Sequence, residues 1–242
     1  MSTRPDLQAR LARQLFNHQR LFDPHREPRN QLRWLQPLQR WQAQRLEHSF
    51  AGFLQDPRRR AAAKFFLTDV YGDRDFSQRD ADIANVLPKM QRLLPASLLA
   101  TMADGIELAA LSHAFDLHMA GALQDIAMPD AGRILDVQMY AQAYRRVGHR
   151  RLRTHQIRLI GEVGHGLAAA LRVPGVSTLL RVSRLPARSA GLGELQSFLE
   201  RGFAAFTQLG DAAAFLADIQ QSETRVMQRL FAGVAAPFTN DP

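Results

Sequence analysis

The chain has 242 residues, of which 46% are hydrophobic, enough apolar material for one sizeable core. It contains no cysteine, which excludes disulfides, thiolate metal sites and cysteine nucleophiles and suits a reducing compartment such as the cytoplasm. The formal net charge of +8 is uneven, because residues 1–64 and 145–188 are basic whereas residues 65–144 and 189–242 are acidic. Either basic helices lie beside acidic ones, or one basic face binds an anionic partner.

Apolar residues recur at helical spacing along the chain, and no segment alternates like a strand with hairpin turns. This pattern predicts an all-α, single-domain bundle of about nine or ten helices over residues 1–242. The helices within about 6–55 are candidates for a hairpin on the main bundle, and the tail 236–242 is expected to be frayed. In chain order, helices are expected from Pro5, over 31–55, over 58–71, from Ser77, over 97–122, 130–147 and 150–172, before Pro186, and over 191–209 and 211–234.

The longest apolar stretch, residues 98–123, predicts the buried centre of the bundle near residues 97–122. Its carboxylates, among them Asp104 and Glu107, argue against a membrane span. Buried ionisable groups need partners, and the seventh helix offers Glu162 and His165 in the Glu-x-x-His pattern of di-iron bundles. The alternatives are a polar network that fixes helix register, a metal or small-ligand site, or haem with a histidine axial ligand. The candidate residues are Glu107, His113, Asp116, His118, Glu162 and His165.

An acidic turn follows the third predicted helix and contains Asp69, Asp75, Arg79 and Asp80. Clustered carboxylates can bind a hard cation such as Mg²⁺ or Ca²⁺, although the spacing is not that of an EF-hand. They can equally cap the next helix or form ion pairs with arginines, which is the interpretation the sequence favours.

The basic segment 145–158 is a candidate for phosphate contacts on nucleic acid or a membrane surface. Few aromatic residues lie near it to stack on bases, so an exposed charged helix face is the simpler interpretation. A second candidate for anion binding lies before Gly191 and Gly193, at a predicted helix N-terminus. The arginines concerned are Arg145, Arg146, Arg150, Arg151, Arg153, Arg158, Arg184 and Arg188.

The segment Lys64–Asp80, KFFLTDVYGDRDFSQRD, resembles the FFL-x-[DE]-[LV]-YG-x-x-DF-x-x-RD signature of an uncharacterised, mainly proteobacterial family. The segment Arg184–Phe203, RLPARSAGLGELQSFLERGF, is similar to a second block of the same family. The resemblance extends from about residue 30 to 230. It implies a bacterial cytosolic helical protein and no particular activity.

The sequence contains no complete catalytic constellation and requires no cofactor. The leading hypothesis is therefore a non-enzymatic cytosolic protein that acts by protein–protein interaction, with another protein or as a homodimer. The first alternative is a buried small-ligand, haem or carboxylate/histidine metal site between helices. The second is electrostatic nucleic-acid binding through residues 145–158.

Overall fold

The computed structural model describes residues 4–70, 95–127 and 133–239, and every regular element in those ranges is helical. The predicted all-α, multi-helix bundle is therefore confirmed. A 3₁₀ turn covers Pro28–Gln31, and a π-helical turn, Phe66–Val70, continues α4. The α-helices of the described ranges are α1 Arg4–Phe22, α2 Leu35–Ser49, α3 Ala51–Gln55, α4 Arg60–Phe65, α5 Ala96–Ala127, α6 Val137–Val147, α7 Arg150–Leu171, α8 Val176–Ser189, α9 Gly193–Thr207 and α10 Ala212–Ala232.

Helix α5 lies at the centre and packs against α1, α2, α6 and α7. Its residues Leu99, Leu117, Met119 and Leu123 are completely buried, which confirms the buried helix predicted near 97–122. The helix continues to Ala127, beyond the predicted end near residue 122, because this last turn still packs into the core. No helix in the described part of the chain combines the length and the hydropathy that crossing a bilayer requires.

The core divides into two large apolar clusters and a small one. The first joins α2, α5, α6 and the C-terminal half of α10, and the second joins α2, α4, α5, α7, α9 and the N-terminal half of α10. The small cluster connects α1 to α5 through Leu11, Leu99, Ala103 and Ile106. Helix α1 is thus attached to the central helix by both apolar and, as described below, charged contacts.

Helix α7 is continuous although its glycines predict a weak helix. The glycines lie where neighbouring helices approach most closely. A Cβ atom at Gly161 would overlap the side-chain amide of Gln220 on α10, and one at Gly164 would overlap Leu216. The close packing of α7 against α10 therefore requires residues without side chains, and tertiary contacts outweigh the low helix propensity.

Two predicted helix boundaries are wrong. The helix expected over 31–55 is interrupted at Phe50, which ends α2 and precedes α3. The helix expected over 130–147 begins at Val137, because Asp136 adopts an extended conformation and its Oδ1 accepts a hydrogen bond from the Met139 amide at 2.8 Å. The helix predicted from Ser77 lies outside the described residues.

Residues 237 and 238, within the tail expected to be frayed, contact the body of the protein. Pro237 is buried, and the Phe238 ring packs against Trp41 and Tyr140 with centroid distances of 5.5 and 5.8 Å. The Arg45 guanidinium lies 5.6 Å from the same ring centroid. An aromatic residue near the C-terminus thus closes one end of the first apolar cluster.

Candidate functional site

Glu107 is the centre of a charged network between α1, α5 and α7. Its carboxylate accepts hydrogen bonds from Arg10 Nη2 at 2.7 Å, Gln14 Nε2 at 2.6 Å and His155 Nε2 at 2.6 Å. Arg10 also binds Asp104 at 2.8 Å. Partial burial opposes ionisation of Glu107, but the hydrogen bonds from His155 and Arg10 outweigh it and hold the pKa of this carboxyl below its ordinary value.

The tautomer of His155 follows from its two neighbours. Arg158 Nη2 lies 2.9 Å from His155 Nδ1, and because a guanidinium can only donate, Nδ1 accepts. The ring proton is then on Nε2, where it is donated to Glu107. Both nitrogens are engaged within the protein, so this arrangement fixes the register of three helices and leaves no ring nitrogen of His155 for a ligand.

His113 lies in a second cluster, away from Glu107. The side-chain amide nitrogen of Asn30 donates to the carbonyls of Leu21 and Glu27, so Asn30 Oδ1 faces His113 Nε2 at 2.7 Å and accepts its proton. The Phe22 ring stacks on His113 with a centroid distance of 3.9 Å. Burial, with a smaller contribution from repulsion by His18, lowers the pKa of His113 to about 4.

The remaining histidine and glutamate candidates are exposed. Glu162 forms an ion pair with Arg158 at 3.3 Å, and His165 Nδ1 donates to the Gly161 carbonyl at 2.7 Å. The ring of His118 lies 6.4 Å from that of His149. No group of three or more histidine, aspartate and glutamate side chains in the described ranges could hold a metal ion.

The structure therefore does not assemble the proposed metal site. Glu107, His113, Glu162 and His165 each bind a different partner. For haem, His113 could become an axial ligand only by giving up its hydrogen bond to Asn30 and its contact with Phe22. A register-fixing polar network, the sequence's other interpretation, agrees with the contacts of Glu107.

Asp116 and Arg153 lie in the interior near the junction of α5, α6 and α7. Asp116 accepts a long hydrogen bond, 3.4 Å, from Gln39 Nε2, and the protein packed around the carboxyl raises its pKa to about 6 by burial. Arg153 is only 6% exposed. Its Cζ atom lies 3.6 Å from the ring centroid of Phe115 and 4.3 Å from that of Tyr144.

The sequence analysis placed Arg153 in an exposed basic segment, and this was wrong. The burial of Arg153 was predictable from helical spacing, because Arg153 lies seven residues before the buried Ile160 and on the same face of α7. The other arginines of 145–158 are exposed, and those with contacts bind different parts of the chain. Arg146 pairs with Asp125 at 2.6 Å, and Arg145 donates to the Leu230 carbonyl at 3.3 Å.

Asp69 is the one acidic-turn candidate in the described residues, and it is buried with 4% exposure. Its Oδ1 accepts from Arg201 Nε at 2.8 Å, and its Oδ2 accepts from the Thr68 hydroxyl at 2.8 Å. The ion pair joins the π-helical turn to α9. Asp75, Arg79 and Asp80 lie outside the described residues.

Helix α8 is attached mainly to α9, and polar side chains make the attachment. Gln196 is buried; its Nε2 donates to the Leu180 carbonyl at 2.7 Å, and its Oε1 accepts from the Ser183 hydroxyl at 3.2 Å. Arg184 binds Glu200 with both Nε and Nη2, at 2.9 and 2.8 Å. Arg184, predicted to bind an anion, is thus engaged by a carboxylate of its own chain.

The opposite side of α8 presents apolar side chains to solvent. Val182 is 59% exposed and Leu185 is 74% exposed, and none of the described side chains of this helix is buried. Pro186 lies within the helix and cannot donate a hydrogen bond to the Val182 carbonyl. This surface, called the α8 outer face, consists of Arg181, Val182, Leu185, Pro186 and Arg188, all exposed.

Comparison with known proteins identifies a family for this chain but indicates no activity. No curated protein and no solved structure matches the chain. A family model described as a domain of unknown function (DUF8198) matches residues 21–237, which agrees with the resemblance to an uncharacterised family. The specific signature and a proteobacterial range remain predictions. The chain therefore belongs to the family of the domain of unknown function DUF8198.

Proposed function

We propose that the protein acts by binding an acidic protein partner through the α8 outer face. The observation that carries the proposal is the exposure of Val182 and Leu185, 59% and 74%, beside exposed arginines. Exposed aliphatic residues grouped on one helix face are more informative than single ones, because covering them gains free energy. Complete burial of each would contribute about 1.5–3 kcal/mol to association. The cytoplasmic location expected from the cysteine-free sequence is part of the same proposal.

The positive charge of the α8 outer face indicates which kind of partner fits it. Arg181 and Arg188 lie on the α8 outer face, and the whole chain has a net charge of +8. A two-fold dimer through this face would bring the arginines of both copies together, and such like charges repel. A partner surface with both acidic and apolar residues would complement the arginines and the apolar side chains of the α8 outer face. We therefore favour a different protein over a homodimer at this surface.

The test begins with a photo-crosslinking amino acid at position 185 of the full chain, expressed in the cells that encode it. The control carries the same group at position 134, because Ile134 is 84% exposed and lies outside α8. We expect a protein that crosslinks from position 185 and not from position 134. The complex is then reconstituted from the two purified proteins and measured by calorimetry at several salt concentrations.

Leu185→Glu should weaken this complex about 10-fold to 100-fold, the equivalent of losing one buried aliphatic side chain. Ile134→Glu should leave the affinity unchanged, and added salt should weaken binding of the unmodified chain. Equal affinity of Leu185→Glu and the unmodified chain would contradict the proposal. Crosslinks only to lipid or nucleic acid would contradict it as well.

A further inference from the structure

Arg153 is a buried cation whose hydrogen-bonding capacity is not used within the described residues. Its side chain projects from α7 into the interior, and the residue is 6% exposed. The Nε and Nη2 atoms are both buried, and neither has a hydrogen-bond partner in the described part of the chain. Buried polar groups nearly always have partners, and a buried unpaired charge costs several kcal/mol. The arrangement therefore calls for a functional explanation.

The two unsatisfied atoms form one edge of the guanidinium. The N–H groups of Nε and Nη2 point in the same direction, and together they match the two oxygens of a carboxylate. The protein uses this edge elsewhere: Arg29 binds Glu27 through Nε and Nη2, both at 2.8 Å, and Arg184 binds Glu200 in the same way. In Arg153 alone, among these three, the edge is left open.

Aromatic rings hold the guanidinium in place. The rings of Phe115 and Tyr144 lie at stacking distance from Cζ, 3.6 and 4.3 Å, and cover its faces. Interactions are then restricted to the edges of the planar group. A cation whose orientation is fixed in advance binds an anion with less loss of conformational entropy than a flexible surface arginine does.

The nearby carboxyl does not bind the open edge of Arg153. Asp116 and Arg153 influence each other electrostatically, but no hydrogen bond or ion pair joins them. Asp116 is instead hydrogen-bonded to Gln39. Burial raises the pKa of Asp116 to about 6, so the carboxyl is still mostly ionised at pH 7 and repels a second anion near Arg153. Asp116 therefore leaves the Nε–Nη2 edge of Arg153 without an acceptor.

We propose that Arg153 anchors a buried binding site for a small organic carboxylate, held by the Nε–Nη2 edge of the guanidinium between Phe115 and Tyr144. The ligand supplies the two acceptor oxygens that the described side chains do not supply. This site is separate from the α8 outer face, and either can exist without the other.

The experiment uses the full-length protein and two probes, sodium acetate and inorganic phosphate, compared with sodium chloride at equal ionic strength. Nitrogen-15 NMR of the arginine Nε–H groups reports on the Arg153 edge directly, and thermal unfolding reports on binding. At acetate concentrations about ten times the dissociation constant, we expect a rise in Tm of about 3–6 °C together with a shifted Arg153 Nε–H resonance.

Arg153→Met should abolish both responses, whereas Arg151→Met should retain them, because Arg151 is exposed and the same charge is removed. The Tm of ligand-free Arg153→Met should equal or exceed that of the unmodified protein, since an unpaired buried cation is replaced by an apolar chain. If that variant does not fold, Arg153→Lys provides the test, because lysine keeps the charge but has no two-donor edge. Asp116→Asn should tighten acetate binding about threefold to tenfold, because a competing negative charge is removed.

Several results would overturn the proposal. One is an acetate response that persists in Arg153→Met or Arg153→Lys. Another is a resonance of the Arg153 Nε–H that neither acetate nor phosphate moves. A response to phosphate without acetate would overturn the assignment of a carboxylate ligand. A lower Tm for ligand-free Arg153→Met than for the unmodified protein would show that Arg153 stabilises the core without any ligand.

Discussion

Replacement of Gly164 by alanine tests whether the glycines of α7 are there for close packing. A Cβ atom at this position would lie 2.7 Å from Leu216 Cδ1 and 3.0 Å from Leu216 Cγ, and still closer to Cδ2. Leu216 is completely buried and belongs to the second apolar cluster, so it cannot move aside without displacing other core residues. The substitution adds about 1 kcal/mol of helix propensity but costs about 1–3 kcal/mol in overpacking.

Because both terminal carbons of Leu216 and its Cγ are affected, we expect the cost to lie near the upper limit. The net loss is then about 1–2 kcal/mol in the free energy of unfolding, or a fall in Tm of about 2–8 °C. Urea denaturation and calorimetry of the purified variant measure both quantities. A Gly164→Ala protein as stable as the unmodified one would refute the packing argument.

Gly105→Ala is the matched control, since it adds the same methyl group to a helix with no atom within 4 Å. We expect it to stabilise the protein by about 0.5–1 kcal/mol through helix propensity alone. A double-mutant cycle separates the two contributions further. In a Leu216→Ala background the overlap is removed, so Gly164→Ala should become neutral or stabilising.

Two other predictions concern buried charges. Arg201→Ala should lower the free energy of unfolding by about 1–3 kcal/mol in urea denaturation, because it removes the ion pair between Arg201 and the buried Asp69 carboxylate; the double variant with Asp69→Asn should recover part of this loss. The pKa of Asp116 is raised from 3.8 to about 6, so its contribution to stability is present at low pH and is lost as the pH rises from about 4 to 6. The pKa of His113 is lowered from 6.5 to about 4, so its contribution is present above pH 6.5 and is lost as the pH falls toward 4. These two pH dependences have opposite signs. Between pH 4 and 6.5, the free energy of unfolding of Asp116→Asn should therefore fall more steeply with decreasing pH than that of the unmodified protein. Equal pH dependences in urea denaturation would contradict the assignment.

The sequence predicted the fold class well because helical periodicity is a local property. The long apolar segment of α5 and the full extent of α7 were both identified, and so was the junction between α9 and α10. Boundaries were less accurate where single residues decide them. The extended conformation of Asp136 and its side-chain cap, for example, set the start of α6 at Val137, seven residues after the start of the predicted range 130–147.

The contacts of the buried charges could not be predicted in the same way. Glu107 was identified as needing a partner, but one of its main partners, Arg10, is 97 residues away in the sequence and on a helix with no distinguishing motif. Arg201 was missed because nothing local distinguishes it from an exposed arginine. Such pairings depend on how helices pack, which a single sequence does not specify. Arg153 differs, because its position on the inward face of α7 was available from spacing alone.

The attachment of α1 to α5 has a consequence for how the chain is divided into parts. The family match begins at residue 21, so it omits nearly all of α1. Yet Leu11 is completely buried against α5, and Arg10 and Gln14 both bind Glu107. A fragment trimmed to 21–237 would expose this apolar strip to water and would also lose Phe238. Such a fragment should aggregate and be cleaved readily by proteases, so the unit that folds cooperatively extends beyond the region by which the family is recognised.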